Sequence, residues 1–269
     1  MKNSNICHLM NNYKNVYWIG ENKNSQRHVL YKYINVEYAI KFLETGILYL
    51  VEPILWPDPY ESRFYTADYK NISNFSPKKL FCTCFTQQVS SEAAWKMYNI
   101  TRNGIASRTI RFEFRRSSLL HTLGTQVAQD GKIYIGNAIY DYTTQKIDRL
   151  HLRKENLYNH FFGNFSLEKF IYLLLLKRKA YTYEEEVRLF FVPNENNRSK
   201  TPSHSIEKNK FLLKIPKNKL TEIIKSIAID PQCSDLEYNM IEATIEKLHP
   251  NCKCFKHNLY KNKSRIIIE

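Results

Sequence analysis

Apolar residues in this chain fall into many short runs, each fit for a strand or a short helix and none for anything longer. Val29-Leu30-Tyr31-Lys32-Tyr33, Ile47 to Val51, Leu80 to Thr86, Lys132 to Tyr142, Phe211 to Ile215 and Ile227 to Ile229 have the β-branched and aromatic content of a pleated, buried surface. Ile105 to Phe114 alternates, which puts Ile110, Phe112 and Phe114 inward and Arg111, Glu113 and Arg115 outward. Single helices separate these strands. Asn35 can cap one over Val36 to Thr45, with a stripe of Ala39, Ile40, Phe42 and Leu43 and Gly46 at its left-handed end. Ser90 or Ser91 can cap a short helix carrying Trp95 and Tyr98 on one face. Ser166 opens a predicted helix from Leu167 to Lys179, with Glu168 and Lys177-Arg178-Lys179 placed to suit the helix dipole. Asp235 to Leu248 is a helix stopped before Pro250.

The order of these elements predicts an α+β fold: a single domain, with a mixed, mainly antiparallel sheet and interspersed helices. Regular βαβ alternation is missing. Residues 1–24 are expected to be a loosely ordered arm with one structured piece near Val16–Ile19, and residues 25–269 a single α+β domain. Pro53, Pro57 and Pro59 suggest a rigid extended loop, Tyr181 to Val192 a strand, and Asn194 to Asn209 a polar loop. Cys252–Phe255 and Arg265–Ile268 are expected to be closing strands.

Charge narrows the partners. Forty Lys and Arg against 26 Asp and Glu give +14, a field that attracts nucleic acid or an acidic protein. Arg108 to Arg116 and Lys177 to Lys179 are expected to form a positive surface, and Lys208 to Lys219 adds basic residues interleaved with apolar ones. Six cysteines in 269 residues do not make a disulfide framework. Cys252-x-Cys254 with His257 lacks a fourth ligand at zinc spacing, so no metal is expected. The N-terminal stretch has no apolar signal region, and the run Phe170 to Leu176 falls short of the ~20 residues that span a bilayer. A cytoplasmic location follows as the expectation.

Three clusters are candidates to carry chemistry. In Tyr183-Glu184-Glu185-Glu186-Val187-Arg188 a strand would put Glu184, Glu186 and Arg188 on one face, and such groups shift each other's acidities. Trp56-Pro57-Asp58-Pro59-Tyr60-Glu61 is a stiff turn presenting Asp58 and Glu61 beside aromatics. Lys32, set between Tyr31 and Tyr33, needs an anion or a route to solvent. Each also has a plain structural reading: a solvated charge ladder, a loop plug, and core packing for Tyr33, Trp95 and Tyr98.

Taken in order, Leu30 to Tyr33, Trp56 to Glu61, Phe81 to Thr86, Ala94-Trp95-Lys96-Met97-Tyr98 and Tyr183 to Arg188 resemble the bacterial family catalogued as domain of unknown function 2971, with Pro57 where that family usually has Asn. More distantly, the basic residue on an early strand, the helix ending in Gly and the late Glu-x-Glu resemble the order of parts in ADP-ribosyltransferase toxins. Those enzymes usually carry His or Arg where Lys32 stands. The resemblance implies cleavage of the nicotinamide–ribose bond of NAD by a toxin or antiviral defence effector acting on nucleic acid or protein. It implies Glu186 and Glu184 as catalytic residues, Lys32, Tyr33, Trp95, Tyr98 and Arg188 as NAD-binding, and Asp58 and Glu61 as accessory. Two other functions stay open on the residues themselves. One is a metal-dependent nuclease using Asp58, Glu61, Glu184 and Glu186; the other is a non-catalytic module binding an anionic partner.

Overall fold

At Asn35 the chain passes from strand to helix, as the side-chain oxygen accepts the Glu37 amide at 2.8 Å. That cap opens one of seven helices in a computed structural model that describes residues 7–8, 15–20, 27–67, 69, 79–99, 101–102, 105–140, 165–194 and 204–260. In chain order the strands are β1 (Cys7–His8), β2 (Val16–Ile19), β3 (Val29–Asn35), β4 (Ile47–Val51), β5 (Phe81–Thr86), β6 (Thr101–Arg102) and β7 (Ile105–Ala106). They continue as β8 (Thr109–Arg115), β9 (Gly131–Asn137), β10 (Glu186–Pro193), β11 (His204–Glu207), β12 (Lys210–Lys214), β13 (Ile224–Ile229) and β14 (Lys253–Lys256). The helices are α1 (Val36–Thr45), α2 (Pro59–Thr66), α3 (Glu92–Tyr98), α4 (Arg116–Gln126), α5 (Leu167–Leu173), α6 (Lys217–Ile223) and α7 (Asp235–Leu248).

Twelve of the strands form one sheet in the order β1-β2-β9-β10-β5-β3-β8-β13-β14, with β11-β12-β4 as a branch. Among the described strands, β2–β9 and β13–β14 pair in parallel and the other pairs are antiparallel. The fold is therefore α+β with a mixed, mostly antiparallel sheet. It forks at β5. One edge of β5 pairs along its whole length with β10. The other edge is shared, with Thr86 opposite Tyr31 of β3 and Cys82 opposite Val51 of β4.

Three packed layers follow from side-chain alternation. Leu30, Phe112, Phe114, Leu189 and Phe191 pack with α1, α4 and α6 through Phe42, Leu119, Leu123 and Ile223. On the opposite face of β9, β10 and β5, Tyr134, Phe190 and Cys82 meet Phe64 of α2 and Phe170 and Ile171 of α5. Tyr31, Tyr33 and Ala228 carry Trp95 of α3 on a third face. In β10 the residues from Glu186 to Val192 are all buried, whichever side they point to.

Several expectations need correction. Asp58 caps a helix at Pro59, where an extended loop was expected; Asp at the cap followed by Pro is itself a helix-start signal. The helix after Ser166 stops at Leu173, because Leu174 to Leu176 leave it to pair with the chain at Ile139. The strand expected from Tyr181 begins at Glu186, and residues Lys179–Glu184 form a 3-10 turn. Arg111 lies inward, because α3 covers that face as well. Strand β11 falls inside the expected polar loop. Within the expected arm, the structured piece expected near Val16–Ile19 is β2, and β1 pairs with it as a further strand of the sheet. The expected strand Arg265–Ile268 lies outside the described residues.

Candidate functional site

At the fork, β3 and β4 part and leave the β5 edge near Cys84 without a strand partner. A buried backbone carbonyl without a partner is costly. Lys32 fills the gap: its ammonium donates to Cys84 O at 2.8 Å and to Thr83 Oγ1 at 2.9 Å. Burial pulls its pKa down. Lys32 is thus a strut between the arms of the sheet, with its donors turned to β5.

Beside this strut, β10 begins at Glu186 and the 3-10 turn ends at Glu184. Between them Glu185 takes a left-handed conformation at φ 41°, uncommon for a residue with a Cβ. The turn is tied down from both sides. Thr86 Oγ1 bonds Glu184 O, the Gln87 amide donates to Glu185 O at 3.0 Å, and the Glu186 amide donates to Tyr140 Oη at 3.0 Å.

Lys177, the residue that joins these carboxylates, was expected to lie on a positive surface. It is buried instead. Its ammonium stands 2.6 Å from Glu184, 2.8 Å from Glu186 and 3.4 Å from Glu61. The Lys177 amide donates to Ile139 O at 3.0 Å, which fixes its main chain against the sheet. Arg188, fully buried, donates to Leu174 O at 2.6 Å, to Glu186 at 3.0 Å and to Glu61, and lies 4.4 Å from the Trp56 ring. Asp58 stays apart from this knot. It accepts the Tyr60 amide at 2.9 Å and pairs with Arg178 at 2.8 Å, and Arg178 stacks between the rings of Tyr60 and Tyr181.

The two carboxylates differ in acidity. Burial works to raise the Glu186 carboxyl, but Arg188 and Lys177 outweigh it and hold the group down at about 2. Burial raises Glu184, opposed by Lys177 and reinforced by the charges of Glu186 and Glu61. Cys84 is pushed well up by its bond with Cys82 and by burial, so it stays a thiol. Burial likewise keeps Tyr98 and Tyr140 protonated.

Glu184 and Glu186 open onto a half-open pocket of about 60 Å³ whose walls include Lys32, Tyr33, Cys84, Tyr98 and Tyr183. Of the residues expected at a site, the fold brings Lys32, Tyr33, Tyr98, Glu184 and Glu186 to this pocket. Arg188 and Glu61 stand behind it in the ion-pair knot. Trp95 does not line it: the ring is buried behind Tyr33, edge-on at 5.0 Å between centroids. Tyr33 is buried too and stacks with Tyr98 at 6.5 Å. Lys177 had one visible signal, its place at the end of an apolar run, and a cation there also suits a helix end.

Among the described residues no group of His, Cys, Asp and Glu is arranged to hold a metal ion, and no helix is long and apolar enough to cross a membrane. Cys82, Cys84, Cys233, Cys252 and Cys254 are free thiols. Comparison with known protein families, with curated proteins and with solved structures gives no match to this chain.

Proposed function

We propose that this chain is an ADP-ribosyltransferase-like enzyme that cleaves the nicotinamide–ribose bond of NAD at the Glu184–Glu186 pocket and passes the ADP-ribosyl group to a nucleic-acid or protein acceptor. One observation carries the reading: two carboxylates share one pocket wall with their acidities driven apart. Such a split lets one group act as a fixed charge and the other as an acid or base. Glu186, held ionised, faces the positive charge that develops on the ribose as the glycosidic bond breaks and nicotinamide leaves with the electron pair. The acceptor then bonds to the ribose carbon, and its proton passes to Glu184. The pocket is small, so it would take the nicotinamide end of the ligand. The rest would lie across a mouth where Met97 and Tyr183 are 51% and 48% exposed. Lys32 is not assigned to the pyrophosphate here, because two of its three donors already serve β5 and burial pulls its pKa down.

The nuclease reading is weaker. Glu61, Glu184 and Glu186 do converge, but on the Lys177 ammonium, which occupies the position a shared cation would need. A non-catalytic binding module stays as the second reading. It is favoured by the mutual pairing of the same side chains, which would also serve as a purely structural brace.

The test is nicotinamide release from NAD with candidate acceptors. Glu186→Gln should lower the rate on the order of 10²–10³-fold, as loss of one electrostatic stabiliser does, with NAD binding little changed. Thermal unfolding of the variant checks that it is folded. Equal turnover in the two proteins would clear Glu186 of the role. No NAD binding by the unmodified chain would favour the binding module.

A further inference from the structure

Glu184 and Glu186 reach the pocket from different elements, a 3-10 turn and a strand, so something other than the backbone must hold their carboxylates together. Two like charges lining one pocket repel, and burial strengthens the repulsion. The Lys177 ammonium lies within 2.8 Å of both. We propose that Lys177 is the positioning residue of this site, a single cation that clamps Glu184 and Glu186 side by side on the pocket wall and so lets them take different roles. Its catalytic meaning rests on the transferase reading; the clamp itself does not.

Other charged and titratable groups surround the pair without replacing the clamp. Glu61 of α2 takes a third position on the ammonium, 3.4 Å away, and Arg188 of β10 bonds Glu186 and Glu61 without bonding Glu184. Cys84 and Tyr98 face the pair from β5 and α3 as neutral groups, and so does Tyr140 after β9. Lys32 is committed to β5. Lys177 is therefore the cation that both pocket carboxylates touch. An ammonium suits the task, since its three donors can meet carboxylates arriving from three directions.

The test reads the carboxyl groups directly. In the full chain labelled with ¹³C at the glutamate side-chain carboxyls, NMR titration follows Glu184 and Glu186 with and without Lys177. Lys177→Met should raise the titration of Glu186 by about one pH unit or more, the size of effect an adjacent opposite charge has. The two curves should then turn biphasic, as coupled groups do. Lys177→Arg should return Glu186 to its low value, which a packing role alone would not require. If Lys177→Met does not fold, Glu186→Gln serves: Glu184, left with more of the ammonium and less repulsion, should titrate lower by about one pH unit. Unchanged titration in whichever of these variants folds would overturn the clamp, even in a chain that releases nicotinamide. A chain that releases none while its titrations move as described would keep the clamp and sink the transferase.

Discussion

Arg188 is fully buried near the start of β10, and each acidic partner it holds is nearly as buried. Removing one member of such a knot leaves the others charged and desolvated, which typically costs about 3–5 kcal/mol. Lys225 offers a contrast. It sits 2.7 Å from Glu113 but is 51% exposed, and pairs of that kind are worth about 0–1 kcal/mol. We expect Arg188→Met to lower the urea-unfolding free energy by about 3–5 kcal/mol, and Lys225→Met to change it by less than about 1 kcal/mol. Equal effects would mean that the knot contributes nothing beyond a surface pair. Sequence alone places Arg188 near Glu186, because two residues apart on a strand share a face. Lys177 is a different case: nothing local shows that the chain after Leu173 abandons its helix and carries a lysine inward.

Among the elements, those with end signals were the legible ones. Asn35, Ser91 and Ser166 cap the helices they should, and Ser234 completes a capping box with Glu237. At the other end of α1, Gly46 takes φ 71°, and a Cβ there would lie 2.1 Å from Ile215 O. That carbonyl lies just after β12, which pairs with β4, and the Ile215 amide donates to Gly46 O at 2.8 Å. Gly20 is also left-handed, at φ 81°, but a Cβ there meets only the edge of Tyr172 at 3.8 Å. Gly20→Ala should therefore cost only the left-handed penalty of about 1–2 kcal/mol. Gly46→Ala should exceed it, because the Ile215 carbonyl has to move as well. Chemical denaturation of both variants checks the difference, and equal losses would mean that the segment yields freely. Elements set by tertiary contacts were not legible. Helix α4, running from Arg116 through Leu119, Leu120 and Leu123, is buried on too many sides to show a clean stripe. The kink at Glu185 exists only because β5 and Tyr140 bond the chain on both sides of it.

Over the whole molecule, the +14 charge is not spread as the arginine-rich strand suggested. Arg108 pairs with Glu237, Arg111 and Arg116 are buried, and Arg115 donates to the carbonyls of Thr221, Glu222 and Ile224. Among the described residues, exposed lysines include Lys41 on α1, Lys208 in the turn before β12, Lys210 and Lys214 on β12, and Lys217 on α6. If nucleic acid is the partner, these lysines are where phosphates would sit. Binding to a single-stranded oligonucleotide should then weaken as salt rises, with a log–log slope of about −0.7 per phosphate contacted. Changing Lys210, Lys214 and Lys217 to Glu should flatten that slope, and a slope unchanged by the triple substitution would place the contact elsewhere. The fork at β5 also sets a timetable for the molecule's birth. Strands β3 and β4, which share one edge of β5, leave the ribosome before it does, but β10, which closes the other edge, follows roughly a hundred residues later. At ~5–20 residues per second the wait is about 5–20 s. Through that interval Phe81 to Thr86 stands as an open, apolar strand edge of the kind other chains can pair with, so the nascent protein is most exposed to a chaperone or to a second nascent copy just before Tyr183, Glu184 and Glu186, the last residues of its own pocket, are made.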